Sequence, residues 1–378
     1  MDQAQSTSGE FGFTRLERVI YGAGRVRDLG RVLERYRLRR ALIVTGASLG
    51  RSALLDSVKA AAGTSLGGVF SGAKQHSPAR TVDALADQAR EAESDVLISF
   101  GGGSPNDTAK AAALRLMREQ GREVLLIAIP TTLSAGEYTA GAGITNEETR
   151  EKTGVGDSRL QARVVILDPE LTQETPAWLW AGTAMRALDH AVEGVYSSRH
   201  QPLSDLLSAR AIALLDEHLL RSLQTQGAEE LEHRLQCQLA SWFSIFGAMN
   251  TRMGISHALG HQIGPFWNVP HGFTSCITLP HVMRFMAEVA PERCGPIAEG
   301  LGIRFDRNNP RLAALECADR VAHFIRKFEV PTRLRDVGVP REELGKIASI
   351  VLAEVSRGNT VGRAVTQHDI VMLLEAAY

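Results

Sequence analysis

Three histidines crowd the stretch GISHALGHQIGPFWNVPHG, from Gly254 to Gly272. His257 and His261 are four residues apart, so a helix puts them on one face, one turn from each other. His271 follows ten residues later, between Pro270 and Gly272, where a loop can aim it back at that face. A fourth, His190, lies far upstream in AMRALDHAVEG, which has helical spacing. Converging imidazoles suit either a divalent metal site or a proton relay beside a substrate. Unrelated surface histidines are the bland alternative, and the position of His271 speaks against it.

A second chemistry sits in the first half. The apolar run DVLISF is followed by Gly101-Gly102-Gly103-Ser104-Pro105-Asn106-Asp107 and the helical DTAKAAALRL. Glycines let a backbone approach a phosphate closely, and the free N–H groups of the next helix face an anion. Ser104 adds a hydroxyl and is expected to cap that helix. The turn is not a GxGxxG, and a tight strand-to-helix turn without a ligand has the same look. The polar segment 130–153, PTTLSAGEYTAGAGITNEETREKT, reads as a long loop, of a kind that is usually functional or disordered. Thr131, Thr132 and Ser134 offer hydroxyls to a ribose or phosphate, and Lys152 a charge to a phosphate.

The elements that must position these groups alternate at first. ALIVT (41–45), DVLISF (95–100), VLLIAIP (124–130) and VVILDP (164–169) are compact apolar runs of the kind buried in a parallel sheet, separated by helical segments. They predict a doubly wound, Rossmann-like α/β domain with ligand loops at the carboxyl ends of its strands. Beyond Leu171 the pattern is helical throughout. The expected organisation is a disordered N-terminus over 1–12, an α/β domain over 13–170 and an all-α domain over 171–378 carrying the histidines. A cleft between two such domains is a common ligand site.

Composition narrows the class. A chain of 378 residues exceeds one core, and 44% hydrophobic with 22% charged residues is ordinary for a globular protein. A net charge of −1 offers no broad attraction to nucleic acid or anionic membrane. Cys237, Cys276, Cys294 and Cys317 show no CxxC spacing and read as reduced cytosolic thiols. No signal peptide and no run of ~20 apolar residues is present, so a cytoplasmic protein is expected.

Taken in order, GGGS-x-x-D-x-A-K, I-P-T-T, N-E-E-x-x-x-K, I-L-D-P-x-L-T and H-x-x-x-H-x-x-G-x-x-x-x-x-P-H-G resemble the iron-containing (group III) alcohol dehydrogenase superfamily, over roughly residues 15–375. The opening RVIYGAGRVRDL and the loop Thr132-Leu133-Ser134-Ala135-Gly136-Glu137 resemble its maleylacetate reductase branch, whereas WNVPHGFTSCITLPHVMRF is closer to the general alcohol dehydrogenases. The resemblance implies the dehydroquinate synthase-like fold, an NAD(P)-dependent oxidoreductase acting on CH–OH or CH–CH groups, a small-molecule oxo-acid or carbonyl substrate, and a homodimer. It implies that Gly102, Gly103 and Ser104 hold the cofactor pyrophosphate, that Thr131, Thr132 and Lys152 add contacts, and that Asp107 orients the same loop. It also implies metal ligands at His190, His257 and His271, with His261 beside the nicotinamide and substrate.

Two departures from the family pattern bear on the chemistry. Four residues before His190, where the family has its ligand Asp, stands Arg186. A guanidinium cannot ligate a cation and repels one at close range. Asp189, about 100° round the helix from His190, is in the wrong phase to substitute simply. The expectation is a reductase without bound metal, in which Arg186 binds a substrate carboxylate or polarises the carbonyl, and His261 or His257 donates the proton. The alternatives are an Fe- or Zn-dependent alcohol or aldehyde dehydrogenase and, further off, a non-catalytic nucleotide-binding homologue. The second departure is Gly46, where the family often has an Asp that accepts from the adenosine ribose. Its absence should admit NADPH as well as NADH, with Arg51 near enough in sequence to meet a 2′-phosphate. Phe246, Phe266, Trp267 and Phe273 are candidate pocket walls.

Overall fold

The computed structural model describes residues 9–145, 147 and 152–378, the side chain of Lys152 excepted. Two compact units divide them: an α/β unit, Arg15–Ala184 with Glu217–Trp242, and a helical unit, Met185–Asp216 and Phe243–Tyr378 with the described part of Met1–Thr14.

In the α/β unit strands and helices alternate as β1 (Arg18–Tyr21), α1 (Leu29–Arg35), β2 (Ala41–Gly46), α2 (Ala53–Ala62), β3 (Leu66–Ala73), α3 (Ala79–Glu91), β4 (Val96–Gly101), α4 (Gly103–Gln120) and β5 (Leu125–Pro130). A hairpin of β6 (Gly141–Thr145) and β7 (Lys152–Gly156) precedes β8 (Val164–Leu167). The main sheet is wholly parallel in the order β1-β8-β5-β4-β2-β3. Strands β2, β4, β5 and β8 are buried along almost their whole length, because helices cover both faces of a parallel sheet. Ile43, Ile98, Phe100, Ile127, Ile129 and Ile166 form one core with Leu29, Leu33 and Val58 of α1 and α2. β2 pairs with β3 on one side and β4 on the other, so the winding reverses between β2 and β4. Open sheets of this kind take ligands outside the carboxyl ends of the strands at such a point.

The four apolar runs are strands as expected. β3, LGGVFSGA, is a strand whose glycine-rich pattern lacks alternation; it forms because β2 offers it a free ladder edge. The expected long loop 130–153 contains β6 and the start of β7, again Gly- and Thr-rich.

The helices that follow are α5 (Ala177–Tyr196), α6 (Pro202–His218), α7 (Arg221–Gln224), α8 (Gly227–Ala248), α9 (Ile255–Trp267), α10 (His271–Val289), α11 (Gly295–Gly300), α12 (Pro310–Ile325), α13 (Leu344–Gly358) and α14 (Gln367–Ala376). The compact units do not follow a boundary at residue 170. The start of α5 and most of α8 belong with the α/β unit because they are tied to it. Trp180 donates to Ser222 at 2.9 Å, Arg234 covers the Trp180 ring at 4.9 Å, and Arg234 donates to the Thr172 carbonyl at 3.0 Å. Of the N-terminal stretch expected to be disordered, residues 1–8 lie outside the described residues. Gly12 exchanges hydrogen bonds with the Asn250 side chain, and Phe11 packs on Phe246 at 5.9 Å. Among the described residues no helix is long and apolar enough to cross a membrane.

Candidate active site

The glycine turn is set by backbone geometry. β4 ends at Gly101 with φ +140°, a conformation side chains rarely adopt, and α4 starts two residues later. The N-cap is Gly102, extended, with no side-chain cap. Ser104 therefore does not cap the helix: it sits inside the first turn, and the leading N–H groups of α4 are left for an anion. A Cβ on Gly102 would lie 2.9 Å from Thr132 Cγ2, so the turn and the Thr131–Ser134 loop pack face to face. Thr131 donates its N–H to the Gly101 carbonyl at 3.0 Å, and the Thr132 and Ser134 hydroxyls lie 2.9 Å apart.

The loop beyond is held from several sides. Leu133 N–H donates to Thr183 and its carbonyl accepts from Ser241, both at 3.1 Å. Lys110, fully buried on α4, donates to the carbonyls of Gly136 and Gly141 and to Thr139. Burial pulls its pKa down to about 8, and buried Glu137 nearby is pushed up to about 7. Asp107 accepts from the Gly143 N–H of β6 at 3.4 Å. Gly46 ends β2, next to β4 in the sheet, and its φ is not positive. The backbone does not require glycine there, and a Cβ would meet the Ala73 carbonyl at 3.4 Å, an ordinary contact. The side chain of Lys152 lies outside the described residues.

In the helical unit α5, α9 and α10 bring four histidines and Arg186 together. His257 and His261 are on one face of α9, their rings 4.7 Å apart and edge to face. His271 is the first residue of α10, not a loop residue: Asn268 in the left-handed conformation turns the chain after α9. Its ring lies 6.0 Å from His257 and 5.8 Å from His261, stacked on the latter. His190 on α5 lies 5.6 Å from His257, ring to ring. One nitrogen each of His257, His261 and His271 falls within 4.8 Å of the others. That trio differs from the family set, which takes His190 and leaves out His261.

Arg186 is buried and faces this cluster. Its Nη2 lies 2.6 and 2.9 Å from the two ring nitrogens of His257, and Nη1 donates to Asp189 at 2.8 Å and Ser275 at 3.2 Å. The Ser275 hydroxyl donates to the same Asp189 oxygen at 2.7 Å. Asp189 is therefore not out of phase with the site. Three residues on from Arg186, it is that residue's counter-ion, and the i,i+3 spacing was the signal for it. Burial lowers Arg186 and raises Asp189, and their mutual attraction opposes both shifts. His190 and His257 are held well below the histidine range, by burial first and the neighbouring guanidinium second, so both rings are neutral at pH 7.

Glu193 has no counterpart in the sequence reading. It is buried one turn beyond Asp189 and accepts from the N–H groups of Gly254 at 2.9 Å, Ser256 at 2.7 Å and His257 at 3.1 Å. Gly254, the N-cap of α9, has no side chain to do this. A Cβ there would come within 2.8 Å of Glu193. One carboxyl on α5 thus caps the helix that carries two of the histidines. Burial and Asp189 raise its pKa, against the three N–H donors. Of the expected pocket aromatics, Phe266 is 66% exposed, its ring tilted against that of Trp267 at 5.8 Å.

This combination of a glycine turn on a parallel sheet and a histidine cluster on a helical unit is that of the iron-containing alcohol dehydrogenases. The iron-containing alcohol dehydrogenase model matches residues 17–169, and the C-terminal model of the Fe-containing alcohol dehydrogenase family matches 180–378. The chain is 32% identical to the maleylacetate reductase of Pseudomonas sp. (strain P51) over 365 residues, 96% of this chain and 95% of that one. It is 30% identical to the lactaldehyde reductase of Escherichia coli (strain K12), over 96% and 98%. The crystal structure of maleylacetate reductase from Agrobacterium tumefaciens superposes with a TM-score of 0.83 at 25% identity, covering 98% of this chain and 99% of that one. The chain belongs to the iron-containing alcohol dehydrogenase family, on its maleylacetate reductase-like branch, and is an oxidoreductase.

Proposed function

We propose that this protein is an NAD(P)H-dependent reductase of an oxo-acid of the maleylacetate kind, working without a resident divalent metal. One observation carries the reading: a buried guanidinium faces the imidazole cluster from the position where the family has its ligand aspartate. A dication on His257 would lie a few ångströms from that charge. At ~4 Å and an effective dielectric of ~20 the repulsion is roughly 8 kcal/mol. The donor set of His190, His257 and His271 therefore does not suit a divalent ion while Arg186 stands there, and no step is assigned to one.

The glycine turn does suit a dinucleotide. It offers uncapped helix N–H groups and a close approach at Gly102. Gly102, Gly103, Ser104, Thr131 and Thr132 would hold the pyrophosphate and ribose, and a bound reduced nicotinamide supplies the hydride. Arg186 stabilises the negative charge that develops on the acceptor oxygen, or binds a carboxylate of the substrate. Asp189 and Ser275 hold Nη1 and so aim Nη2 at the cluster. His257 is neutral and buried. His261 is half exposed, beside an acid, and is the ring placed to carry a proton in from solvent. Its N–H bond breaks, the proton goes to the new alkoxide or carbanion, and the ring is left neutral.

The test uses purified protein treated with chelator, mixed with maleylacetate and NADH or NADPH, following loss of the reduced nicotinamide. Turnover with substoichiometric metal is expected; none with either cofactor rejects the reading. A second reading, a metal-dependent alcohol or aldehyde dehydrogenase, is favoured by the close approach of the His257, His261 and His271 nitrogens and by a buried His190 Nδ1 with no protein partner. Stoichiometric metal, with activity lost on chelation, decides for it.

A further inference from the structure

His261 has a partner outside the cluster. Its Nδ1 lies 3.1 Å from Oε1 of Glu354, on α13, the helix that packs along α9. The two residues are 93 positions apart, so no local spacing relates them. Each side chain is a little over 40% exposed, at the solvent edge of the site. The other two rings of the trio stand differently. His257 has the Arg186 guanidinium against both of its nitrogens, and His271 is stacked on His261. His261 thus meets a carboxylate at the solvent edge and the rest of the cluster on its other side.

We propose that Glu354 is the positioning residue for His261. It takes the Nδ1–H, fixes the ring plane and tautomer, and leaves Nε2 as the nitrogen that serves the substrate. A carboxylate oxygen can only accept, so the ring must donate at Nδ1 whenever the pair is formed. The hydrogen bond made by one ring nitrogen sets the state of the other. During turnover the Nε2–H bond breaks, its proton goes to the reduced substrate, and Nδ1–H stays on Glu354. Solvent then returns a proton to Nε2. An isolated surface pair of this exposure adds little to stability, so its effect should show in catalysis rather than in folding.

The proposal rests on His261 being the proton donor of the reductase, and the experiment has two arms so that the two ideas fail separately. The first arm needs no substrate. Protein carrying ¹⁵N-histidine is read by long-range ¹H–¹⁵N correlation, with the His261 signal assigned by its loss in His261→Ala. At a pH where the ring carries a single proton, the Nδ1–H tautomer, which is the state left after Nε2 has given up its proton, is expected in the wild type, with a shift toward the Nε2–H tautomer in Glu354→Ala. The second arm is a double-mutant cycle. Glu354→Ala lowers kcat about tenfold with the cofactor KM unchanged, Glu354→Gln lies between it and the wild type, and Glu354→Ala has no further effect in the His261→Ala background. Identical His261 tautomers in wild type and Glu354→Ala overturn the proposal, as does a kcat loss that persists undiminished without His261. A wild-type enzyme inactive on oxo-acids overturns the reductase reading, and the tautomer arm then decides this proposal by itself.

Discussion

The glycine turn after β4 and the cluster on α5, α9 and α10 are built from opposite materials. The turn is built by lacking side chains: Gly101 takes φ +140°, Gly102 lies against Thr132, and the first N–H groups of α4 have no side-chain cap. The cluster works by side chains, several of them buried and charged or titratable, each held by another. A backbone site tolerates changes in charge but not in volume. A side-chain site is sensitive in the reverse order, because burying a charge is costly unless its partner stays.

The largest expected effect tests the charge side of that contrast. Arg186→Ala should lower kcat/KM for the oxo-acid by roughly 10²–10³ and leave the cofactor KM alone. Arg186→Lys keeps the charge without the planar fork and should fall between. Arg186→Asp restores the family ligand, so metal analysis after reconstitution should show a divalent ion where the wild type shows little. A variant that stays metal-free would mean that Arg186 is not what excludes the ion. The volume side comes next. Gly102→Val should raise the cofactor KM by about tenfold or more while substrate KM holds, since the added atoms collide with Thr132. Equal losses in both constants would show that the two sites are not separable in this way.

The two sites were unequally legible. The turn could be placed because three glycines between an apolar run and a helical run mark a strand-to-helix junction, and the strands β2, β4, β5 and β8 because full burial leaves an unbroken apolar run. β3 and the β6–β7 hairpin could not, since their glycines carry no pattern and the neighbouring strand supplies the order. His257, His261 and the intrusion of Arg186 followed from spacing and family pattern. Asp189 is out of phase with His190 but one turn from Arg186, and the second relation is the one that matters. Glu193 and Glu354 lie 61 and 93 residues from the groups they hold, and nothing local marks such pairs.

Glu193 gives a mid-sized test. Glu193→Ala strips three N–H groups of α9 of their acceptor in a buried place and should lower unfolding stability by about 1–3 kcal/mol, read by denaturant titration. Glu193→Gln keeps an acceptor and should lose less. If α9 is instead held by its other contacts, both variants unfold with the wild type.

The smallest effect is expected away from both sites, at His218 and His233, whose Nδ1 atoms are 2.8 Å apart. One ring must donate and the other accept, which needs at least one of them neutral. Burial holds His218 below the histidine range; Glu217 opposes the shift and His233 adds to it. The folded chain then binds fewer protons at His218 than the unfolded chain does near pH ~6.5, so the stability tied to a neutral His218 is present above that pH and is lost as acid is added. The melting temperature of the wild type should therefore fall more between about pH 7.5 and 5.5 than that of His218→Gln, by roughly 2–4 °C. The change should leave kcat at neutral pH where it was, since neither ring belongs to the glycine turn or to the arginine cluster. Parallel melting curves would mean that Glu217, 3.6 Å from the His218 ring, offsets its protonation as fast as it occurs.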